Sequence, residues 1–296
     1  MSVSMLLRDR VMAVCEDSWA AYRDAYLDAR AHPPAGYDPT ARIERPNPKP
    51  QGGIAVVPIM GGLSRRGDFF TDILGWSTYE SIAETMGQLA SDRSIARIVL
   101  RVDSPGGTVF GVEDAAQAVA DAAKRKPVIA IADGLMASAA YWVSSGATEI
   151  IATPGSELGS IGVIATHTDV SGALEQDGIK ATEIKAGKHK GEGSPLRPLS
   201  DEDRAALEER IEAQYSLFVS RVARGRKVSV EDVRAGFGEG RVLTAQAAVK
   251  AGLANRIARM PDVIDAAIDE LTTKSRASAV DADLRLKARL LALCGD

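Results

Sequence analysis

The residue best placed to do chemistry in this sequence is a serine that lies between a predicted strand and a predicted helix. An apolar run of strand type, residues 127–132 (PVIAIA), ends in Asp133 and Gly134, and Ser138 follows as an alanine-rich helical segment begins. Backbone N–H groups at the N-terminus of a helix stabilise negative charge, which suits a nucleophile whose transition state is an oxyanion. Serine is also a common N-cap residue and then has only a structural role. Ser138 alone leaves both interpretations open.

Three further stretches place polar or glycine residues at predicted strand ends. Residues 103–107 (DSPGG) follow the strand 95–102, and Gly106 and Gly107 would let backbone N–H groups face a ligand without side-chain obstruction. Their spacing is not that of a Walker loop or a dinucleotide fingerprint, so phosphate binding is not indicated. Ser160 lies between glycines, and residues 185–194 (KAGKHKGEGS) form a lysine-rich loop. Ordinary turns and a solvated surface loop explain these patterns equally well.

A serine nucleophile needs a base, and the pattern of residues does not identify one. The chain has three histidines, His32, His167 and His189, and no acidic residue has an informative spacing from the last two. The alternative is a lysine whose pKa is lowered by burial or by neighbouring positive charge until it accepts a proton. Lys188 and Lys190 are available for that role. A Ser-His-Asp triad and a serine–lysine pair therefore both stay open at this point.

The predicted elements that would position these residues alternate between strand and helix. Apolar strand-like runs at residues 54–59, 95–102 and 127–132 are separated by helical patterns at 77–91 and 112–124. This alternation is typical of βαβ units and a largely parallel sheet. The predicted fold class is α/β, with helices flanking the sheet.

The sequence predicts four parts along the chain. Residues 1–35 form an N-terminal helical segment, because apolar residues recur at helical spacing between residues 6 and 31. Residues 36–51 belong to a proline-rich arm, residues 52–258 form the compact domain, and residues 259–296 form a helical, charged tail.

Composition excludes several classes of function. The formal net charge of −4 gives no general attraction to nucleic acid or anionic membranes. The two cysteines, Cys15 and Cys294, have no metal-ligand spacing, and the sequence suggests neither a metal site nor a cofactor. There is no signal-peptide h-region and no apolar run of about 18 residues, so we expect a cytoplasmic protein without a stable membrane anchor.

Four motifs in the right order resemble the S49 peptidase family, which includes signal peptide peptidase A proteins and phage prohead (protein C-like) proteases. They are VDSPGGTVFGVEDAAQAV, IADGLMASAAYWVSSGATEIIATPGSELGSIGVI, IKAGKHKGEGSPLRPLSDEDRAALEERI and GRVLTAQAAVKAGLANRI, and the match runs from about residue 52 to residue 257. The resemblance implies a ClpP/crotonase-like fold and peptide cleavage by a serine–lysine dyad.

Carried over by position, the resemblance assigns roles to individual residues. Ser138 would be the nucleophile and Lys190 the general base, and Ser160 would help to hold the lysine. The backbone N–H groups of Gly106 or Gly107, together with that of Ala139, would form the oxyanion hole.

The chain departs from the family pattern after the nucleophile, where Ala139 and Ala140 replace glycines. This change should narrow the floor of the S1 pocket, which receives the substrate residue before the cleaved bond. It should not remove the backbone N–H group that would stabilise the oxyanion.

The resemblance also implies partners. Polypeptides would be the substrates, and homo-oligomerisation is expected because the family assembles rings or domes with shared active sites. The proline arm and the missing anchor favour a phage or prophage head-maturation protease, acting on capsid, portal or scaffold proteins in the host cytoplasm or prohead. The alternatives are a signal peptide peptidase A-like enzyme that degrades membrane-derived peptides, a crotonase-type acyl-CoA enzyme, and a non-enzymatic capsid or scaffold protein on this fold.

Overall fold

The structure is a computed structural model that describes the backbone of residues 11–14, together with residues 53–67, 71 and 75–273. Its strands are β1 Val11–Val14, β2 Ile54–Ser64, β3 Ser77–Thr78, β4 Arg97–Thr108, β5 Val128–Ala137, β6 Glu149–Ala152, β7 Glu157–Gly159, β8 Ile164–Ala165, β9 Val242–Thr244 and β10 Arg256–Ile257. Its helices are α1 Tyr79–Ser91, α2 Val112–Arg125, α3 Ala139–Ser144, α4 Ser171–Gln176, α5 Asp201–Arg226, α6 Val230–Gly236, α7 Ala245–Ala251 and α8, residues 260–273.

Five parallel strands, in the order β10-β6-β5-β4-β2, form the centre of the sheet. β2 is the outer strand at Pro58, where it pairs with Arg101 of β4, and β3 joins β2 only at Leu63 and Ser64. A proline is tolerated there because its missing N–H would have faced away from the ladder. The predicted α/β class, with a largely parallel sheet flanked by helices, is confirmed.

Both faces of the sheet are apolar, because successive side chains along a strand point in turn into two hydrophobic cores, one on each face. Along β4, Ile98 and Leu100 enter the larger core with helices α1, α2, α3 and α5, whereas Val99 enters the smaller core. Val263 and Ala267 of α8 cover that smaller core. Strands buried on both faces are expected in a parallel sheet covered by helices on each side.

The two chain ends depart from the predicted organisation in different ways. The helical tail predicted from residue 259 begins as α8, which is packed on the sheet and is therefore part of the compact domain. Residues 11–14 form strand β1, where the sequence pattern predicts a helix. Two β-branched valines in this stretch, and an available strand edge at Gly106–Thr108, explain why strand pairing prevails over helical periodicity. The rest of the N-terminal segment, the proline arm and the tail beyond residue 273 lie outside the described residues.

Helix α3, which follows Ser138, is anchored from behind by α2 and α5. The Trp142 ring stacks on the Phe218 ring, with centroids 4.5 Å apart, and the Trp142 Nε1–H donates to the Glu113 carboxylate at 3.0 Å. The same carboxylate accepts from the guanidinium of Arg221, which is 6 % exposed. Arg221 is buried and Glu113 is partly exposed, so loss of Glu113 would leave a buried guanidinium without its charge partner. This network fixes α3 relative to its neighbours.

The chain after α3 also approaches α5 too closely for a side chain at Gly225. A Cβ built on Gly225 would lie 1.9 Å from the carbonyl oxygen of Ser145, which is one residue beyond the end of α3. Glycine is therefore required here by backbone packing rather than by a turn.

We predict opposite effects for the same change at two helical glycines. Gly225→Ala should lower the free energy of unfolding by about 2–3 kcal/mol, because overpacking forces the backbone apart. Gly87→Ala in α1, where a Cβ would meet nothing within 4 Å, should raise it by about 0.5–1 kcal/mol. Urea unfolding of both variants provides the measurement, and equal effects would contradict the packing described for α5.

Candidate active site

The sheet brings Ser138 and Ser160 side by side at the carboxyl ends of parallel strands. β5 and β7 pair in parallel, with Ala137 opposite Gly159, so the two serines are the next residues on adjacent strands. The Ser138 N–H donates to the Gly159 carbonyl at 2.8 Å, and the Ser160 N–H donates to the Arg241 carbonyl at 2.8 Å. Ligand sites of α/β proteins lie at this edge of the sheet.

Ser138 has a backbone conformation that residues other than glycine rarely adopt. Its φ is 54° and its ψ is −121°, and Ser160 also has a positive φ, 51°. Such conformations cost about 1–3 kcal/mol each and persist only where the surrounding structure imposes them, commonly at functional sites. A strained strand-to-helix turn is also what presents the nucleophilic serine in α/β-hydrolases.

The Ser138 hydroxyl does not cap the helix that follows it. Ser138 occupies the N-cap position of α3, but its side chain makes no capping hydrogen bond. The residue has no exposed surface, and its Oγ has no hydrogen-bond partner within the described part of the chain. The N-cap interpretation of Ser138 is therefore wrong. A buried hydroxyl without a partner usually indicates a functional role or an unoccupied site.

The two glycines of the DSPGG segment are required by different contacts. Gly106 has a φ of 101°, and its N–H donates to Ser104 Oγ at 3.2 Å. Ser104 in turn donates to the Gly61 carbonyl at 2.6 Å. A Cβ on Gly107 would lie 1.8 Å from the Leu63 carbonyl oxygen. The close approach of β2 therefore accounts for Gly107, whereas the positive φ accounts for Gly106.

The other predicted oxyanion donor, Ala139, is the first residue of α3 and is fully buried. Its N–H has no intrahelical acceptor, because the first four amides of a helix lack one. The β4–β5 register supports a common location for both donors. Ser104 pairs with Met136, so the Gly106–Gly107 pair and the Ser138–Ala139 pair each begin two residues beyond an aligned pair of strand residues.

Asp103 has a positioning role that the sequence did not reveal. Its Oδ1 accepts from the Leu135 N–H at 3.0 Å and so ties the turn before Ser138 to β4. A Cβ on Gly134 would lie 2.6 Å from that oxygen, which explains the glycine with a φ of 123°. The sequence does contain a pattern that could have predicted this contact. An aspartate follows one predicted strand, and an Asp-Gly pair follows the neighbouring strand.

Lys190 is not brought to Ser138 within the single chain. It lies in an exposed loop, and its ammonium group has no hydrogen bond or ion pair with any residue that the structure describes. Lys188 is exposed as well, and His189 faces Glu192 at the surface. None of these side chains contacts the Ser138 hydroxyl.

The lysine loop is nevertheless tied to the start of α5. Arg197 donates to the Gly191 carbonyl at 2.9 Å and forms an ion pair with Asp203 at 2.6 Å. The hydrogen bond from Arg197 is the main cause that lowers the pKa of the Asp203 carboxyl below its usual range. The ion pair between Arg197 and Asp203 therefore anchors one end of the loop.

Neither a metal-binding cluster nor a membrane-spanning helix is found among the described residues. No group of three or more His, Cys, Asp or Glu residues in that part of the chain is arranged to hold a metal ion. The helices that the structure describes also include none long and apolar enough to cross a membrane.

The chain is similar to several proteins of phages and bacteria. It is 35% identical over 227 residues to capsid assembly protease C of Escherichia phage lambda, covering 76% of this chain and 51% of that protein. It is 32% identical to the head-tail preconnector protein GP5 of Enterobacteria phage P21, covering 76% and 44%. It is 30% identical to a putative signal peptide peptidase SppA of Enterococcus faecium, covering 63% and 54%. The chain thus spans about half the length of these relatives.

The model of peptidase family S49 matches residues 120–274, which is just over half of the chain. The matched region contains Ser138, Ser160 and the lysine loop. The chain belongs to peptidase family S49.

Proposed function

We propose that this chain is a serine endopeptidase in which Ser138 is the nucleophile and Lys190 is the general base. The observation that carries the proposal is the buried hydroxyl of Ser138, which has no hydrogen-bond partner among the described residues and is held in a strained turn beside Ser160. Strain and an unsatisfied hydroxyl both cost stability, and a reactive serine explains why they occur together.

The proposed reaction is acyl transfer in two steps. Neutral Lys190 takes the proton of Ser138 as Oγ attacks the peptide carbonyl. The N–H group of Gly106 or Gly107, together with that of Ala139, stabilises the oxyanion. The C–N bond then breaks, the leaving amine takes a proton from the lysine, and an acyl-enzyme remains. Water attacks this ester while the lysine takes a proton from it. The bond between the acyl carbon and Ser138 Oγ then breaks, Oγ takes the proton back from the lysine, and the carboxylic acid product leaves. Removal of one oxyanion donor typically costs about 10²–10³ in rate.

The exposed position of Lys190 supports a site completed by a second copy of the chain. A lysine acts as a general base only where burial or nearby positive charge favours its neutral form. An exposed loop does not provide burial, but a loop packed against a neighbouring copy would. Ser160, beside Ser138, would then help to orient the neutral amine of that lysine. We therefore propose a homo-oligomer with active sites shared between subunits.

The favoured physiological role is head maturation in a phage or prophage, with capsid, portal or scaffold proteins as substrates. The relative named as a capsid assembly protease supports this role. The similarity to a putative signal peptide peptidase favours a second candidate, the degradation of membrane-derived peptides. Mass spectrometry of products formed with co-expressed capsid and scaffold proteins, and separately with signal peptides, distinguishes the two roles. Cleavage of signal peptides alone would contradict the head-maturation role.

We predict that Ser138→Ala and Lys190→Ala each lower kcat/KM for a peptide substrate by at least about 10³-fold. Lys188→Ala is the matched control, because it removes an exposed lysine from the same loop. It should retain activity near that of the unaltered chain. Circular dichroism should show an unchanged fold for all three variants. Full activity in Lys190→Ala would exclude the dyad.

A shared active site predicts complementation between two inactive variants. When Ser138→Ala and Lys190→Ala chains are co-expressed, random pairing at a symmetric interface leaves about one site in four with both groups intact. Activity should therefore return to about a quarter of that of the unaltered chain. If the mixture stays inactive while both variants form oligomers of the normal size, the two groups come from one chain and the shared site is wrong.

A further inference from the structure

Strand β1 lies between two strand edges next to the candidate active site. Its residues pair antiparallel with the end of β4, where Met12 is opposite Thr108 and Val14 is opposite Gly106. On its other side it pairs antiparallel with β8, where Met12 is opposite Ile164. β1 is therefore an inner strand of the sheet, although residues 15–52 separate it in sequence from the domain that it joins.

The two edges that β1 covers belong to the segments that contain the other candidate site residues. One edge, Gly106–Thr108, contains the two glycines that are candidate oxyanion donors, and the other, β8, begins four residues after Ser160. An extended peptide commonly binds by adding a strand to such an edge, where backbone hydrogen bonds supply affinity. If this chain is a peptidase, as proposed above, these edges bind the polypeptide substrate.

The direction of β1 places its carboxyl end beside the candidate oxyanion donors. From Met12 to Val14 its partners run from Thr108 back to Gly106, so its carboxyl end lies at the glycine pair. A substrate strand must likewise bring a carbonyl group to the oxyanion donors. Ser138 has no exposed surface in this arrangement, so a polypeptide cannot reach it without displacement of some covering segment.

We infer that Val11–Val14 is a pseudosubstrate strand, a segment of this chain that occupies its own substrate groove and competes with polypeptide substrates. The segment is covalently attached, so its binding is intramolecular and is favoured by a high effective concentration. A substrate binds only to the fraction of molecules in which β1 has left the groove. Its apparent affinity is reduced by that fraction.

Hydrogen exchange tests the position of the strand without requiring catalysis. In the full chain with Ser138→Ala, the amides of Val11–Val14 should exchange slowly, together with those of Gly106–Thr108. Adding Ala13→Pro should abolish this protection, because proline lacks the amide hydrogen and is not accommodated in the middle of a sheet. The matched control is Ala41→Pro, the same change within the proline-rich sequence, and it should leave the protection unchanged. Fast exchange at Val11–Val14 without Ala13→Pro would overturn the inference.

Steady-state kinetics with Ser138 intact tests the competition. Suppose that β1 has left the groove in about a tenth of the molecules of the unaltered chain. We then expect Ala13→Pro to lower KM for a peptide substrate by about tenfold, with little change in kcat. Ala41→Pro should leave KM unchanged. An unchanged or higher KM in Ala13→Pro would refute competition by β1. Absence of turnover in every variant would instead refute the proposed function, and hydrogen exchange would still decide whether the strand occupies the groove.

Discussion

The hydrogen bond from the Ser138 N–H to the Gly159 carbonyl, 2.8 Å long, joins the two turns on which the candidate site depends. It continues the parallel pairing of β5 with β7 one step past the strands, where the chain turns into α3. Both Ser138 and Ser160 have a positive φ at this step. The strain, about 1–3 kcal/mol for each residue, has to be offset by packing elsewhere.

The packing that offsets this strain lies directly behind the serine. α3 is buried along its whole length, Trp142 stacks on Phe218, and Glu113 joins Trp142 to Arg221. In front of the serine, Asp103 fixes Leu135, and Ser104 links Gly106 to Gly61. The scaffold is therefore rigid where a nucleophile and an oxyanion hole require fixed positions.

Much of this arrangement was predictable because it depends on local patterns. Alternating strands and helices predict a parallel sheet, and polar residues after neighbouring strands then meet at one edge, as Ser138 and Ser160 do. Three features depend on tertiary contacts instead. Gly107 is required by the Leu63 carbonyl, the exposed Lys190 ammonium group has no partner among the described residues, and β1 is a strand because free edges of β4 and β8 accept it. Spacing along a single chain does not reveal such contacts.

The central claim, that Ser138 is a reactive nucleophile, is tested most directly by covalent labelling with a serine-directed probe followed by peptide mass mapping. The account predicts one adduct per active site, located on Ser138 and absent from the Ser138→Ala chain, with Ser160 unmodified. An adduct on Ser160 would contradict the assignment of the nucleophile. Absence of any adduct in an oligomer that cleaves peptides would contradict the claim itself.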